Sequence, residues 1–193
     1  MKKSYLFIVL LFVCLFSCNN TVKKSINEEK YTEEQAKKAY KDLTWGMTLE
    51  DMINLDYISP EDTSKWVIHL KYKSIGHESF EDVSIMTHDN KLFAVVFHDY
   101  IEGYNNSISK LNEVGSLFKA KYGTPDFEKY IPKDSLIQDT NTPVFIWNIR
   151  YKRIKGDIEK SADNIYFVNV TIEDTITRHL HDSIAIAYQS KDL

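Results

Sequence analysis

The stretch from Phe80 to Tyr100 limits the fold more tightly than any other part of the chain. Val83, Ile85 and Thr87 recur every second residue, the period of a strand with one buried face. Asp89-Asn90 follows, and both residue types tolerate the positive φ that a two-residue hairpin turn requires. Leu92 to Tyr100 (LFAVVFHDY) is apolar at odd and even positions alike, as in a strand covered on both faces near the centre of its sheet. A chain committed to that hairpin builds an antiparallel sheet around it. Strand period recurs in 65–73, where Trp66, Ile68, Leu70 and Tyr72 share a face, and in 144–151, where Phe145, Trp147 and Ile149 do. It recurs again in 164–172 and in 183–188, with Ile184, Ile186 and Tyr188 aligned.

Helix signals alternate with these strands. Thr32 with Gln35 and Thr48 with Asp51 form capping patterns, the first opening a helix over 33–43 and the second leading into Met52, Ile53 and Leu55. Trp45-Gly46-Met47 separates the two as a hinge. Asn105 or Asn106 starts a longer helix that ends at Tyr122, before Gly123 and Pro125, with Ile108, Leu111, Gly115 and Phe118 on one stripe. The stretch 126–142 reads as a surface excursion, and KRIKGDIEKSAD as a charged hairpin end with Gly156 at its turn. The order α-β-β-β-α-β-β-β implies an α+β fold, an antiparallel sheet with helices packed on one face, over a single domain at 32–193. The layouts of 44–104 and 105–193 are alike, and GMTLED echoes GTPDFE, so two similar halves within that domain are one reading.

The N-terminus carries a different message. Lys2 and Lys3 precede an uninterrupted apolar run, Leu6 to Phe16, which is shorter than the roughly 20 residues a bilayer span needs. Leu15-Phe16-Ser17-Cys18 follows, and it resembles the lipobox of bacterial lipoproteins. A lipobox ending at Cys14 would put the larger Val13 at the small-residue position. The resemblance implies a signal peptide at 1–17, acylation of Cys18, and a lipidated, flexible linker over 18–31, so that Cys18 tethers the domain to a lipid bilayer. The polar segment after Cys18 lacks a strongly acidic run, which points to the outer membrane facing the periplasm. Cys14 and Cys18 are the only cysteines, so the mature chain keeps no thiol pair for a disulfide. Loss of Lys2 and Lys3 takes the formal charge from −4 to −6, which repels phosphate backbones and excludes nucleic acid as a natural partner. Aromatic residues at 13% and apolar residues at 43% place the body in the globular class.

From Trp45 to Met52 a glycine and then Thr48 open an acidic helical turn, and with the strand order this resembles small α+β envelope modules of the BamE and β-lactamase-inhibitor-protein kinds. The resemblance implies a protein-contacting module and carries no functional residue across.

Candidate chemistry is sparse. His179 and His181 have the spacing of two metal ligands on one side of a strand, with Asp182 or His98 as a third. His98-Asp99 could form an acid/base pair, although neighbours on a strand point to opposite faces. A periplasmic hydrolase would assemble its site from His98, Asp99, His179 and His181. A small-ligand carrier would show an apolar cavity between helix and sheet. Trp66 and Trp147 suit the core, while Trp45, at the hinge, suits an interface. The balance favours a non-enzymatic protein-binding, assembly or inhibitory role beside an envelope protein, with no catalytic residue, metal or cofactor.

Overall fold

The computed structural model describes residues 31–64, 67–162 and 164–189. In chain order these are α1 (Glu33–Lys37), β1 (Lys38–Tyr40), β2 (Leu43–Thr44), α2 (Leu49–Asn54), β3 (Ile68–His69), β4 (Ser74–Ile75), β5 (Glu78–Ser79), β6 (Asp82–His88) and β7 (Lys91–Glu102). There follow α3 (Tyr104–Tyr122), β8 (Phe127–Glu128), β9 (Thr142–Ile149), β10 (Lys152–Ala162), β11 (Ile165–Asp174) and α4 (Thr175–Gln189). One seven-stranded antiparallel sheet runs β3-β6-β7-β11-β10-β9-β8, flanked by the small ribbons β1-β2 and β4-β5. This is the α+β architecture that the alternation of helix and strand patterns implies. Because β7 pairs with β11 along almost its whole length, the first and second halves of the chain share one sheet.

The expected hairpin is present, with Asp89 and Asn90 at φ 50° and 59° and β7 in the body of the sheet. Thr32 and Thr48 both complete capping boxes. Gly103, at φ 90°, precedes α3, while Asn106 Nδ2 donates to Glu102 O behind it.

Four local expectations change. The first helix stops at Lys37, and Lys38 is already extended, because Ala36, Ala39, Tyr40 and Leu43 reach the core by a turn of helix followed by the β1-β2 ribbon. Among the described residues of 65–73, strand structure is confined to Ile68–His69. KRIKGDIEKSA is a full strand, β10, in which Ile154, Gly156 and Ile158 are buried and the charged residues between them face outward. The strand expected at 183–188 belongs to α4, whose first turn is capped by Asp174: Oδ1 accepts from Ile176 N at 3.1 Å and Oδ2 from Thr177 Oγ1 at 2.7 Å.

The core lies between the sheet and α1, α2 and α3. Leu111, Val114 and Phe118 of α3 share one buried cluster with Phe97, Val168, Val170, Ile154 and Trp147 of the sheet, and the Phe118 and Trp147 rings are 5.8 Å apart. Trp147 is 1% exposed and its Nε1 donates to Gly123 O at 2.9 Å, so the indole both fills the core and ends the helix. Two glycines make room for Phe145. A Cβ on Gly115 would stand 3.2 Å from Phe145 Cδ1, and one on Gly156 would come within 2.6 Å of Cε1 and closer still to Cζ. Helix α4, by contrast, packs on the other face. Its Arg178 and His181 meet Met86, Phe93 and Glu173, and Glu173 alternates with the core residue Ile172.

Candidate functional site

The face turned away from α3 is made by the residues one step out of phase with the core. In β7 these are Val96, His98 and Tyr100, in β11 Phe167, Asn169 and Thr171, and in β10 Lys155, Asp157 and Glu159. Register sets them in adjacent rows. One runs Asp157, Asn169, His98, Asp82 from β10 to β6, and the next runs Glu159, Phe167, Tyr100.

The first row is polar and mostly hydrogen-bonded. His98 Nδ1 lies 2.5 Å from Asn169 Oδ1, and His69 Nδ1 lies 2.6 Å from Asp82 Oδ1. In each contact the imidazole Nδ1 faces an oxygen acceptor, to which an Nδ1–H can donate. Asn169 Nδ2 donates to Asn141 Oδ1 at 3.3 Å, a contact that crosses β10 close to Asp157. Asp157 is only 3% exposed, and Lys155 Nζ stands 2.8 Å from its Oδ2, while its Oδ1 has no partner among the described residues. Burial pushes the Asp157 carboxyl above the usual carboxylate range, against the pull of Lys155 and then Arg153.

The second row is aromatic and open. Tyr100 is 55% exposed. Its ring stands edge-on to Phe167 at 4.1 Å between centroids and 5.7 Å from His98, while Phe167 and His98 are 5.0 Å apart. Three rings thus brace one another on a rigid sheet, and the outermost is presented to solvent with little freedom left to lose on binding. Glu102, at the end of β7, is exposed beyond it.

The opposite end of this face is closed by α4. Arg153 Nε donates to Glu173 Oε1 at 2.6 Å, Arg178 Nη1 stands 3.8 Å from Glu173 Oε2, and Arg178 Nε donates to Asp182 Oδ2 at 2.9 Å. His181 packs on Phe93 at 5.3 Å and His88 at 5.8 Å. Arg153, Arg178, Glu173 and Asp182 thus each meet an opposite charge.

The residues singled out from the sequence are not gathered into one site. Cys18, Trp66 and the segment 1–30 lie outside the described residues. His98 and Asp99 face opposite sides, for Asp99 turns toward α3, where its Oδ2 is 3.4 Å from Lys110 Nζ and its Oδ1 accepts from Glu81 N. His179 and His181 stand on a helix rather than a strand, where residues two apart point in nearly opposite directions, so they cannot share one ion. His179 is exposed and His181 is packed inward. Among the described residues no group of three His, Cys, Asp or Glu is placed to hold a metal. Trp45 is half-buried against the core and its Nε1 donates to Ala36 O at 2.8 Å, so much of its ring serves the fold. No local motif marks Tyr100 or Phe167. Their signal was present as two aromatics out of phase with Phe97, Val168 and Val170.

Two further features lie on the covered side. Lys152 is 1% exposed, and its Nζ donates to Tyr122 Oη at 3.0 Å, to Lys38 O at 3.1 Å and to Gln35 O, three acceptors for three ammonium hydrogens. Burial pushes this amine down to about 7, with the Lys121 charge adding to the effect. Enclosed in this way it fastens α1 and β1 to the sheet. A cleft of about 430 Å³ runs between α3 and β9, floored by Leu111, Gly115, Ile131 and Phe145 and rimmed by Asn112 and Lys119.

Compared with known protein families, characterised proteins and solved structures, the chain matches none of them.

Proposed function

We propose that the chain is a lipoprotein of the bacterial cell envelope, cleaved before Cys18, acylated on that cysteine and held at the outer membrane facing the periplasm. Its domain binds another envelope protein in a non-enzymatic assembly or inhibitory role. Leu15-Phe16-Ser17-Cys18 supports the tether. Two or three acyl chains attach a protein stably where one is marginal, and the tether raises the effective concentration of neighbouring partners. The binding half rests on one observation, the braced and exposed Tyr100 on the open end of the sheet, since a rigid aromatic over a packed base is the kind of residue that carries interface energy.

The test is affinity capture from detergent-solubilised envelopes with the full chain and with Tyr100→Ala. A partner retained by the first and released by the second supports the reading, and equal retention removes it. Mass spectrometry of the mature N-terminus, with Cys18→Ser as control, checks the tether separately. The cleft beside α3 favours one second reading, a small-ligand carrier, because its volume is in the range of ligand pockets. Native mass spectrometry of the full chain purified from its own membranes, showing a retained small molecule that Asn112→Trp expels, would establish that alternative.

A further inference from the structure

We infer that the partner docks through a basic segment, with the Tyr100 and Phe167 rings and the carboxylates around them forming a receptor for an arginine or lysine side chain. This deepens the binding reading above and rests on it.

Charge is left over on this face. Along β10 and α4 on this face, three cations are already committed: Lys155 to Asp157, Arg153 to Glu173, and Arg178 to Glu173 and Asp182. The carboxylates are not all committed. Glu159 lies beside Phe167 in the aromatic row, and Glu102 lies two residues beyond Tyr100 on the same face of β7. Among the described residues neither carboxylate has an ion-pair or side-chain hydrogen-bond partner. In the adjoining row Asp157 Oδ1, buried and facing the same side, is an acceptor without a donor. The open end of the sheet therefore offers an aromatic surface and an excess of acceptors.

A ring face attracts a cation through its quadrupole, and flanking carboxylates add charge-assisted hydrogen bonds. Arginine fits both demands at once, since its planar guanidinium can lie on Tyr100 while its edge meets Glu159 or Glu102. A free cation at an open surface gains too little to remain, so the group arrives as part of a protein segment that also covers Tyr100. The formal charge of −6 on the mature chain extends the attraction beyond contact and steers a basic partner toward it.

The first experiment uses the full-length protein in non-ionic detergent and fluorescently labelled tetra-arginine, with tetra-glutamate as the opposite-charge control. Tyr100→Ala and Glu159→Gln should each weaken tetra-arginine binding about fivefold. Tyr130→Ala, which removes a still more exposed ring elsewhere (76% exposed), should leave it unchanged. Equal losses in all three variants, or equal binding of tetra-glutamate, overturn the inference. The second experiment places a photo-crosslinking amino acid at position 100 in intact envelopes and sequences the captured peptide. A captured peptide with Arg or Lys beside the crosslink supports the inference, whereas one with no basic residue there overturns it and leaves the binding reading standing. Absence of any crosslinked protein sinks the binding reading itself.

Discussion

The two faces of the sheet are made by the same strands and differ in what they have been given to meet. On one, Phe97, Val168, Val170, Ile154 and Ile158 lie sealed beneath α3. On the other, shifted by one residue, lie His98, Tyr100, Phe167, Asn169, Asp157 and Glu159. Since side chains alternate, a one-residue slip in register would exchange the two sets, so each protects the pairing of the other. The first face is decided by volume, as Gly156 beneath Phe145 shows. The second is decided by charge. Where α4 covers it, Arg153 and Arg178 are paired with Glu173 and Asp182, and around Tyr100 carboxylates are left in excess.

The strongest way to break this contrast is to open the sealed side. Trp147→Ala should lower the unfolding free energy by about 4 kcal/mol, through the cavity and through the hydrogen bond lost from Gly123 O, measured as a shifted urea midpoint. Next in size is the most deeply buried charge on that side among the described residues. The Lys152 amine, held at about 7 in the fold and near 10.5 when unfolded, binds fewer protons in the native state between those values. Stability must therefore rise with pH in that window, by about 3 kcal/mol between pH 7 and about 9.5. Lys152→Met should flatten the rise. Above pH 10 the sign reverses, because burial holds the Tyr122 and Tyr151 hydroxyls up to about 12 and they stay neutral in the fold while ionising in the unfolded chain. A wild-type profile without a rise below pH 10 would show that the amine is not buried as described. On the polar face the covered end should still matter: Glu173→Ala frees Arg153 and Arg178 of their shared partner and should cost about 2 kcal/mol, less than a fully buried pair because Arg153 regains water.

The hairpin at Asp89-Asn90 and helix α3 were legible in the sequence because their signals are local: a turn dipeptide between periodic runs, and a stripe that ends at a glycine. β10 was not, because Arg153, Lys155, Asp157 and Glu159 hide the alternation of Ile154, Gly156 and Ile158 behind charge, and only the outward face of a sheet accounts for that pattern. Helix α4 was misread for a related reason. Ile184, Ile186 and Tyr188 alternate like a strand within a short window, and the start signal is Asp174, the last residue of the preceding strand, with no glycine or proline to mark the change. The candidate surface was harder still. Tyr100 meets Phe167 only through the register of β7 with β11, a long-range pairing that no local pattern announces.

The smallest expected effect bears most directly on function. Phe97 and Tyr100 stand on opposite faces of β7, one fully buried and the other 55% exposed. Phe97→Ala should cost about 4 kcal/mol, since it leaves a cavity against Tyr40 and Phe80. Tyr100→Ala leaves no cavity. It gives up the edge-on contact with Phe167, worth about 0.5–1.5 kcal/mol, and some of that returns as Phe167 and His98 relax toward water. The net change should stay below about 1 kcal/mol, with an unaltered slope in a urea titration. An aromatic that the fold can lose at so little cost is held in the open for a reason other than stability. If Tyr100→Ala instead destabilises the domain as severely as Phe97→Ala, the ring is a structural element, and the polar face loses its claim to be the surface that meets a partner.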